Sequence, residues 1–298
     1  MRFGENEEGE RLKEIVVMSG KGGTGKTSIT AALGVLAGGE AVVADCDVGA
    51  ANLHILYEPK TLTSASFWSG KTAVINQETC VCCGICQESC RFGAIGYQND
   101  EYVVDDVSCE GCSVCHHLCP VDAVTMRENR AGDWFVALSR FGGWFVHARL
   151  GIAQDNSGKL VAKVKGETRK LATREDVPYV IVDGPPGVGC PAISAVSGAS
   201  RVVIVTEASQ SGLHDLRRMA NLARAFKIEV SCVINKCDLN NKVRRDIEVF
   251  CDTCAIDVLA AIPFTTVFSN ALQERKTLVE MDDAQTKDHI EQIWDRLQ

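Results

Sequence analysis

The chain has 298 residues, 46% of them hydrophobic, and a formal net charge of −8. This length allows one large α/β domain or two ordinary ones, and no apolar run approaches the roughly 18 residues of a membrane span. The acidic balance argues against nucleic-acid binding, because Lys and Arg must neutralise phosphates. The polar, acidic leader over residues 1–12 does not match a secretory signal, so fifteen cysteines predict metal ligation in a reducing cytoplasm.

The first motif follows a short apolar strand, EIVVM at 14–18. The segment SGKGGTGKTS at 19–28 fits the phosphate-loop pattern G-x4-G-K-[ST]. In this pattern backbone N–H groups surround the phosphates, Lys26 reaches the β/γ oxygens and Thr27 ligates Mg²⁺. An apolar helix after the loop supports the assignment. The predicted nucleotide-binding residues are Gly20, Gly22, Gly23, Thr24, Gly25, Lys26, Thr27 and Ser28.

A second lysine, Lys21, stands near the start of the loop. The form K-G-G-T-G-K-T resembles the deviant Walker A group of P-loop ATPases, which includes MinD, ParA, the Mrp carriers and the nitrogenase iron protein. The resemblance implies ATP sandwiched in a dimer, with Lys21 reaching the phosphates of the second subunit. The segment AVVADCDVGAANLH at 41–54 follows, a hydrophobic strand that ends in two aspartates, Asp45 and Asp47. The resemblance implies that the second, Asp47, positions the attacking water and Mg²⁺.

Two cysteine runs with the same spacing come next. Both read C-x2-C-x2-C-x3-C, and Pro120 follows the second. Thiolates suit iron–sulfur clusters or zinc, and this spacing is that of bacterial two-cluster ferredoxins, in which the fourth cysteine of each run ligates the other cluster. The predicted ligands are Cys80, Cys83, Cys86 and Cys119 for one [4Fe–4S] cluster, and Cys109, Cys112, Cys115 and Cys90 for the other.

Paired zinc knuckles are the alternative interpretation of these cysteines. Zinc needs only two close pairs per metal, whereas each run has a third cysteine at x2 and a fourth at x3, so the spacing favours two clusters. The first run departs from the usual pattern in two ways. Arg91 stands where proline often follows, and Cys82 is a fifth cysteine that the spacing does not require.

The third nucleotide motif is YVIVDGPPG at 179–187. By the resemblance, Asp183 is the Walker B aspartate that holds Mg²⁺, and the glycines after it sense the γ-phosphate. Two further buried strands are predicted at 201–209 and 230–238, and Asn235 and Lys236 end the second. An N-K-x-D sequence also signals guanine, but the resemblance favours ATP, with Asn235 at the adenine. The implied catalytic set is Lys21, Lys26, Asp47 and Asp183, with Thr27, Asp47 and Asp183 at Mg²⁺.

Several cysteines remain outside these motifs. Cys190 stands where the nitrogenase iron protein holds a cluster between subunits, but a structural thiol is favoured. Cys251 and Cys254 stand where Mrp carriers place a cluster-bridging pair, although they also fit one face of a helix end. Packing in the core accounts better for three others, which are Cys46, Cys232 and Cys237.

The C-terminal segment DHIEQIWDRLQ has apolar residues at helical spacing. A membrane-binding face carries lysines and arginines, but here the polar face is mainly acidic. We expect this helix to pack on the core, without direct membrane binding.

Strand–helix repeats predict an α/β fold, a mostly parallel doubly wound P-loop ATPase sheet. The predicted ATPase domain is discontinuous, over 13–70 and 129–298, and the small α+β two-cluster ferredoxin domain is inserted at 72–128. This layout resembles MinD-superfamily ATPases with an inserted ferredoxin domain, from Lys13 onward. The segment TEAS at 206–209 departs from the usual TEPT of that group.

The leading hypothesis is a Mg²⁺-dependent ATPase in which a dimer switch drives electrons through two [4Fe–4S] clusters to a client metalloprotein, or drives maturation of a metal cofactor. The dimer would be a homodimer or a heterodimer with a paralogue. One alternative is an iron–sulfur carrier of the Mrp type. The other is a spatial or cell-division organiser like MinD.

Overall fold

The structure, a computed structural model, describes residues 12–151 and 157–298, so the predicted leader lies outside the described residues except for Leu12. The strands are β1 Lys13–Met18, β2 Ala41–Asp45, β3 Lys60–Ile75, β4 Ile95–Gln98, β5 Glu101–Val104, β6 Val124–Leu138, β7 Trp144–Leu150, β8 Tyr179–Asp183, β9 Arg201–Glu207, β10 Glu229–Asn235 and β11 Asp257–Ile262. The helices are α1 Lys26–Leu36, α2 Leu53–Tyr57, α3 Ile85–Glu88, α4 Val114–Leu118, α5 Ser157–Glu175, α6 Cys190–Val196, α7 Gln210–Ala225, α8 Asn241–Thr253, α9 Val267–Gln273 and α10 Ala284–Asp295.

Nine of the strands form one sheet in the order β11-β10-β9-β1-β8-β2-β7-β6-β3. All pairings from β11 to β7 are parallel. Strands β1, β2, β8, β9 and β10 are buried over nearly their whole length, as continuous runs of Val, Ile and Ala are in a sheet covered on both faces. The predicted α/β class with a large, mostly parallel sheet is confirmed.

The strand order decides where the polar motifs meet. Strand β1 lies between β8 and β9, and β8 lies between β1 and β2. The loops that follow these parallel strands therefore leave the sheet at the same edge, which is where α/β sheets bind ligands. The phosphate loop, Asp47 and Asp183 all stand at or just after the carboxyl ends of these strands.

Side-chain caps fix the starts of three longer helices. The hydroxyl of Ser209 accepts the N–H of Gly212 at the start of α7. Asn240 caps α8 in the same way, and Asp283 accepts the N–H of Thr286 in α10. Such caps satisfy backbone donors that have no partner within the helix.

Helix α10 packs on the core, as its apolar spacing predicted. Ile290, Ile293 and Trp294 are buried within the main hydrophobic cluster, and the Trp294 ring meets the Tyr179 ring edge-on at 5.2 Å between centroids. None of the helices formed by residues 12–151 and 157–298 is long and apolar enough to span a membrane. The absence of direct membrane binding stays a prediction.

The described residues divide into two compact units. The first contains the residues up to Ala65, Trp134–Arg149 and Ser157–Gln298, and the second contains Ser66–Asp133 followed by Leu150 and Gly151. The division therefore falls inside β3 and inside β6.

The second unit has its own antiparallel pair, β4 with β5. Its small core contains Ala73, Ile75, Ile95 and Val124, and six cysteines of the two runs pack against it.

A buried ion pair joins β1 to α5 in the first unit. Lys165 Nζ lies 2.6 Å from Glu14 Oε1, and each side chain is only 3% exposed. The same ammonium donates to the carbonyl of Ser197 at 2.9 Å, and Arg169 Nε lies 2.5 Å from the other carboxylate oxygen. Burial lowers the pKa of Lys165 against the opposing attraction of Glu14.

We expect Lys165→Met to lower the free energy of unfolding by about 3 kcal/mol, because removing one partner leaves a buried carboxylate with only the half-exposed Arg169. Urea unfolding followed by circular dichroism measures this. Lys170→Met is the matched control on the same helix, because Lys170 pairs with Glu167 while 75% exposed, and its cost should stay below about 1 kcal/mol. Equal costs for the two variants would contradict the prediction.

Candidate functional site

The phosphate loop turns into α1 at a residue that must be glycine. Gly25 has φ +93°, and a Cβ there would lie 2.6 Å from Asn235 Nδ2 and 2.9 Å from the Phe268 ring. Positive φ and the lack of space both exclude other side chains. Helix α1 begins at the next residue, so its free N–H groups face the loop, as in phosphate-binding loops.

The motif lysine lies at the centre of a buried polar cluster. Lys26 Nζ is 2.7 Å from Asp183 Oδ1 and 3.7 Å from Asp47 Oδ2. Thr27 Oγ1 donates to the other oxygen of Asp183 at 2.8 Å. Burial alone would lower the pKa of Lys26, but the charges of Asp183 and Asp47 outweigh it and raise the pKa. Four residues predicted as catalytic or Mg²⁺-binding thus meet at one point.

Two further residues of this cluster were given no role in the site from the sequence. Thr30 Oγ1 donates to Asp183 at 2.9 Å. Asp45 accepts the N–H of Asp47 at 3.1 Å and that of Leu53 at 3.2 Å, so it shapes the loop after β2. Burial, and then the charge of Asp183, raise the pKa of Asp45 to about 8. The sequence signal for Thr30 is its spacing, one helical turn after Lys26.

The glycines after Asp183 are tied to β1 and the phosphate loop. The N–H of Gly184 donates to Val17 at 2.8 Å, and that of Gly187 donates to Ser19 at 2.9 Å. A shift of the phosphate loop would therefore act directly on this segment. Its role in sensing the γ-phosphate stays a prediction.

Asn235 and Lys236 hold the phosphate loop in this structure. Asn235 is 2% exposed; its Nδ2 donates to the Thr24 carbonyl at 2.7 Å, and its Oδ1 accepts the N–H of Lys236. Lys236 Nζ donates to the Gly23 carbonyl at 2.9 Å. The adenine contact of Asn235 stays a prediction, since these atoms already have partners within the chain.

The second lysine of the loop also has partners within its own chain. Lys21 Nζ lies 2.5 Å from Glu207 Oε1 and 3.0 Å from Ser211 Oγ, and its side chain is 40% exposed. Burial alone would raise the pKa of Glu207, but its bonds to Lys21 and Ser209 lower it. Lys21 is predicted to reach a second subunit, and it could do so only if its ion pair with Glu207 opened.

The two cysteine runs fold into two similar loops. Each loop leads into a short helix, α3 or α4, whose N-cap has positive φ, at Gly84 and Ser113. Two residues after the first cysteine of each run, Cys82 and Gly111 also have positive φ. Gly111 is required there, since a Cβ would lie 2.2 Å from the Lys71 carbonyl. The repeated spacing is therefore matched by a repeated backbone.

Each loop borders a cavity, and each cavity takes its fourth cysteine from the other run. The open volume is about 330 Å³ at the Cys80 cavity and about 350 Å³ at the Cys109 cavity. The cysteines that line the Cys80 cavity are Cys80, Cys83, Cys86 and Cys119. Those that line the Cys109 cavity are Cys109, Cys112, Cys115 and Cys90. The four cysteines predicted for each ligand set therefore line one cavity, and their binding of a cluster stays a prediction.

The cysteines surround these cavities without converging on a point. In residues 12–151 and 157–298, no group of three or more His, Cys, Asp or Glu side chains is arranged to hold a metal ion. A zinc ion requires four ligands about 2.0–2.3 Å from one centre. A four-iron cluster is larger and is held by four separated thiolates at its corners.

The comparison with protein families covers most of the chain. Residues 15–279 match the CobQ/CobB/MinD/ParA nucleotide binding domain. The chain belongs to this family. The phosphate loop, Asp47 and Asp183 all lie within the matched residues, so the polar cluster at Lys26 is part of a MinD/ParA-type nucleotide-binding domain.

Two curated relatives illustrate this family membership. An uncharacterised protein of Methanocaldococcus jannaschii is 30% identical over 232 residues, which cover 77% of this chain and 80% of the relative. The septum site-determining protein MinD of Synechocystis sp. is 23% identical over 258 residues, which cover 84% of this chain and 75% of the relative.

Solved structures of MinD/ParA-type proteins share the fold. MinD of Pyrococcus horikoshii, complexed with Mg-ADP, aligns with a TM-score of 0.57 at 17% identity and 96% coverage of each chain. The McdA–ATP complex of Cyanothece aligns with a TM-score of 0.59 at 16% identity and 97% coverage of each chain. At such identities the likeness shows the fold alone.

The remaining cysteines are placed differently from one another. Cys46, Cys232 and Cys237 are buried, as expected for packing. Cys251 is buried as well, and interaction with the Cys232 thiol lowers its pKa, whereas Cys254 is partly exposed. Cys251 and Cys254 therefore do not present two accessible thiols on one face of the helix end.

Cys190 is exposed at the start of α6. Its favoured role as a structural thiol stays a prediction, and the exposed side chain is not part of the core.

We expect Asn235→Ala to destabilise the fold by about 1–3 kcal/mol, because it removes the donor to the Thr24 carbonyl in a buried setting. It should also weaken ADP binding, because the loop loses its link to β10. Urea unfolding and titration with a fluorescent ADP analogue measure the two effects. Asn241→Ala, at an exposed position, is the control, and a variant indistinguishable from it would refute this role of Asn235.

Proposed function

We propose that the chain is a Mg²⁺-dependent ATPase in which ATP-driven dimer switching is coupled to electron transfer through two [4Fe–4S] clusters. The observation that carries the proposal is the crossed lining of two cavities by eight cysteines, in a chain that also has a complete phosphate-loop cluster. The client is a redox metalloprotein or a cofactor under maturation. The abundance of thiols supports the cytoplasm as its location.

The nucleotide roles follow from the polar cluster at Lys26. Lys26 would exchange its contact with Asp183 for the β/γ-phosphates, since one ammonium serves either anion. Thr27 and Asp183 then remain as oxygen ligands suited to Mg²⁺, and Asp47 stands 3.7 Å from the lysine to position water. The family match supports nucleotide binding, and hydrolysis is part of the proposal.

The residues of the second unit suit iron–sulfur clusters. When bound, such clusters supply one-electron transfer. Each cavity offers four thiols, and the apolar residues Ile75 and Val124 pack beside the Cys80 cavity. Backbone groups also serve the thiols: the N–H of Ala123 donates to Cys119 Sγ at 3.2 Å. Donors to sulfur and an apolar shell are the features by which a protein tunes a cluster.

Coupling between nucleotide and clusters is supported by chain connectivity. From Asp47 the chain passes through α2 and β3 into the second unit, and it returns through β6. Dimerisation is supported by resemblance through Lys21, whose pairing with Glu207 would open as the lysine reaches a partner's phosphates. A change at the γ-phosphate thus has a direct covalent path to the cysteine-rich unit.

Two double variants test the crossed ligand sets. Cys83→Ala with Cys119→Ala removes two ligands from one cavity, so about four iron atoms per chain and one intact cluster should remain. Cys83→Ala with Cys90→Ala removes one ligand from each cavity, so no intact four-iron cluster should remain. Iron and sulfide analysis after anaerobic reconstitution, with electron paramagnetic resonance of the reduced protein, measures both.

The opposite pattern is no intact cluster after Cys83→Ala with Cys119→Ala, and one intact cluster after Cys83→Ala with Cys90→Ala. It would show that each run binds its own metal. Zinc without sulfide in the wild-type protein would refute the clusters and favour paired zinc knuckles. Cys82→Ser is the control, because this cysteine belongs to neither lining set, and both clusters should survive in it.

Coupling predicts that MgATP changes the reduction potential of the clusters. We expect a shift on the order of 60 mV, which is a tenfold change in a one-electron equilibrium, in potentiometric titrations of the intact dimer. The Lys26→Ala variant should not bind nucleotide, so its reduction potential should not change with MgATP. It should keep both clusters. Identical potentials with ATP, with ADP and without nucleotide would refute coupling and leave the clusters themselves untouched.

A second candidate function is spatial organisation of the kind named for MinD. Its support is the likeness to MinD and McdA structures and to the MinC:MinD complex of Aquifex aeolicus. It predicts ATP-dependent binding to a polymerising partner or to lipid. Sedimentation with anionic liposomes, with and without ATP, tests the lipid branch, and co-sedimentation at unchanged cluster potentials would favour this function. The carrier hypothesis has less support, because Cys251 is buried.

A further inference from the structure

The two cysteine cavities differ in the residues at their mouths. Four apolar residues that line the Cys80 cavity are exposed, and we call them the apolar rim: Val81, Ile85, Pro120 and Val121. Val81 is 61% exposed, Val121 40% and Ile85 37%. Cys83 is exposed beside them. Large apolar side chains gathered in this way around one opening mark an interaction site.

Two of the four equivalent positions at the Cys109 cavity carry charge, and the other two, Val114 and Phe92, are exposed apolar residues as well. Counting from the repeated cysteines, Glu110 corresponds to Val81, and Arg91 corresponds to Pro120. Glu110 lines this cavity. The Arg91 guanidinium lies 4.9 Å from the centroid of the Phe92 ring, which lines the cavity too. The internal repeat therefore offers a direct comparison, and only the Cys80 cavity has an uncharged mouth.

Three carboxylates lie near residues at or beside the Cys80 cavity. Glu88 lies near Tyr102, which lines the Cys80 cavity. Glu101 lies near Cys82, and Asp122 lies near Cys119. All three carboxylates are exposed.

The three arginine side chains of residues 66–133 have partners elsewhere in this unit. Residues 66–133 contain ten Asp and Glu but four Lys and Arg. Arg127 pairs with Asp106, and Arg130 pairs with Asp133. Arg91 stacks at the Cys109 cavity, and the backbone of Lys71 lies against Gly111 of the second loop. The charged side chains near the apolar rim are therefore mainly carboxylates.

We propose that the apolar rim and its carboxylates dock a basic redox protein, so that electrons enter or leave this chain at the Cys80 cavity and not at the Cys109 cavity. An apolar centre with a charged periphery is the usual anatomy of a protein interface. The partner's surface is apolar where it meets Val81 and Val121, and rich in Lys and Arg around that centre. The proposal rests on the proposed function, since it assumes the clusters.

Each docking event transfers one electron. A cluster held by the four cysteines of the Cys80 cavity would give that electron to the partner's oxidised centre or accept it from the partner's reduced centre, with no proton or bond exchanged. The docked apolar side chains exclude water from the exposed Cys83 edge.

Cytochrome c, a basic one-electron haem protein, serves as the probe. Titration calorimetry with the anaerobically reconstituted full chain measures its dissociation constant, which should rise with salt because the attraction is electrostatic. Ile85→Lys should weaken binding about tenfold, or ~1.4 kcal/mol. Val114→Lys is the matched control, since Val114 is the equivalent residue of the second loop and is 41% exposed. Both variants add one positive charge, so long-range steering changes equally.

A second pair of variants removes single charges. Glu88→Gln should weaken binding of cytochrome c, whereas Glu110→Gln should leave it within about twofold of the wild type, as expected outside an interface. Stopped-flow reduction of ferric cytochrome c by the reduced chain should follow the same order. Equal effects in both members of each pair, or larger effects at the Cys109 cavity, would overturn the proposal.

Iron and sulfide analysis of the same samples separates the two levels of inference. If the wild-type chain assembles no clusters, the proposed function fails, and this docking proposal fails with it. If both clusters assemble in every variant and binding does not discriminate the cavities, only the docking proposal fails.

Discussion

The contact between Lys26 and Asp183 is the constraint on which the nucleotide-binding unit depends. It places a buried cation against a buried anion, and neither would be tolerated alone in an interior of low dielectric. The pair is held at 2.7 Å because β1 and β8 are neighbours in register, with Val17 opposite Asp183. Thr27 and Thr30 use both oxygens of the same carboxylate. Sheet order and site geometry are therefore one arrangement: a slip between β1 and β8 would separate the charges.

The same reasoning explains which parts of this site could be predicted from the sequence. Lys26, Thr27 and Asp183 are readable because a phosphate loop and a strand ending in aspartate impose those residue types at those places. The roles of Asn235 and Lys236 were harder to predict. Both bind carbonyls of the phosphate loop more than two hundred residues earlier, and no local pattern records a contact that depends on the order of β1, β9 and β10.

The cysteine runs are the opposite case, because their spacing alone predicted which four cysteines line each cavity. Each run closes a loop and begins a short helix, so the path between successive cysteines is fixed locally. The fourth cysteine stands beyond the helix and therefore lies at the other cavity. Spacing could not predict which side chains are exposed at the mouth of each cavity. The exposure of Val81 or Glu110 depends on packing across the unit. It also could not predict that Cys251 would be buried against Cys232, a contact between a helix and a strand.

The division of the chain inside β3 and β6 has an evolutionary consequence. These strands are neighbours at one edge of the nine-stranded sheet, so the chain leaves the nucleotide-binding unit and re-enters it at adjacent places. A connection that replaces residues 66–133 would rejoin β3 to β6 and leave β1, β2 and β8 as they are. The cysteine-rich unit is therefore an insertion whose two ends lie on neighbouring strands of the sheet. A family with such an attachment point can gain or lose an accessory unit by one insertion or deletion, while its central strands stay unchanged.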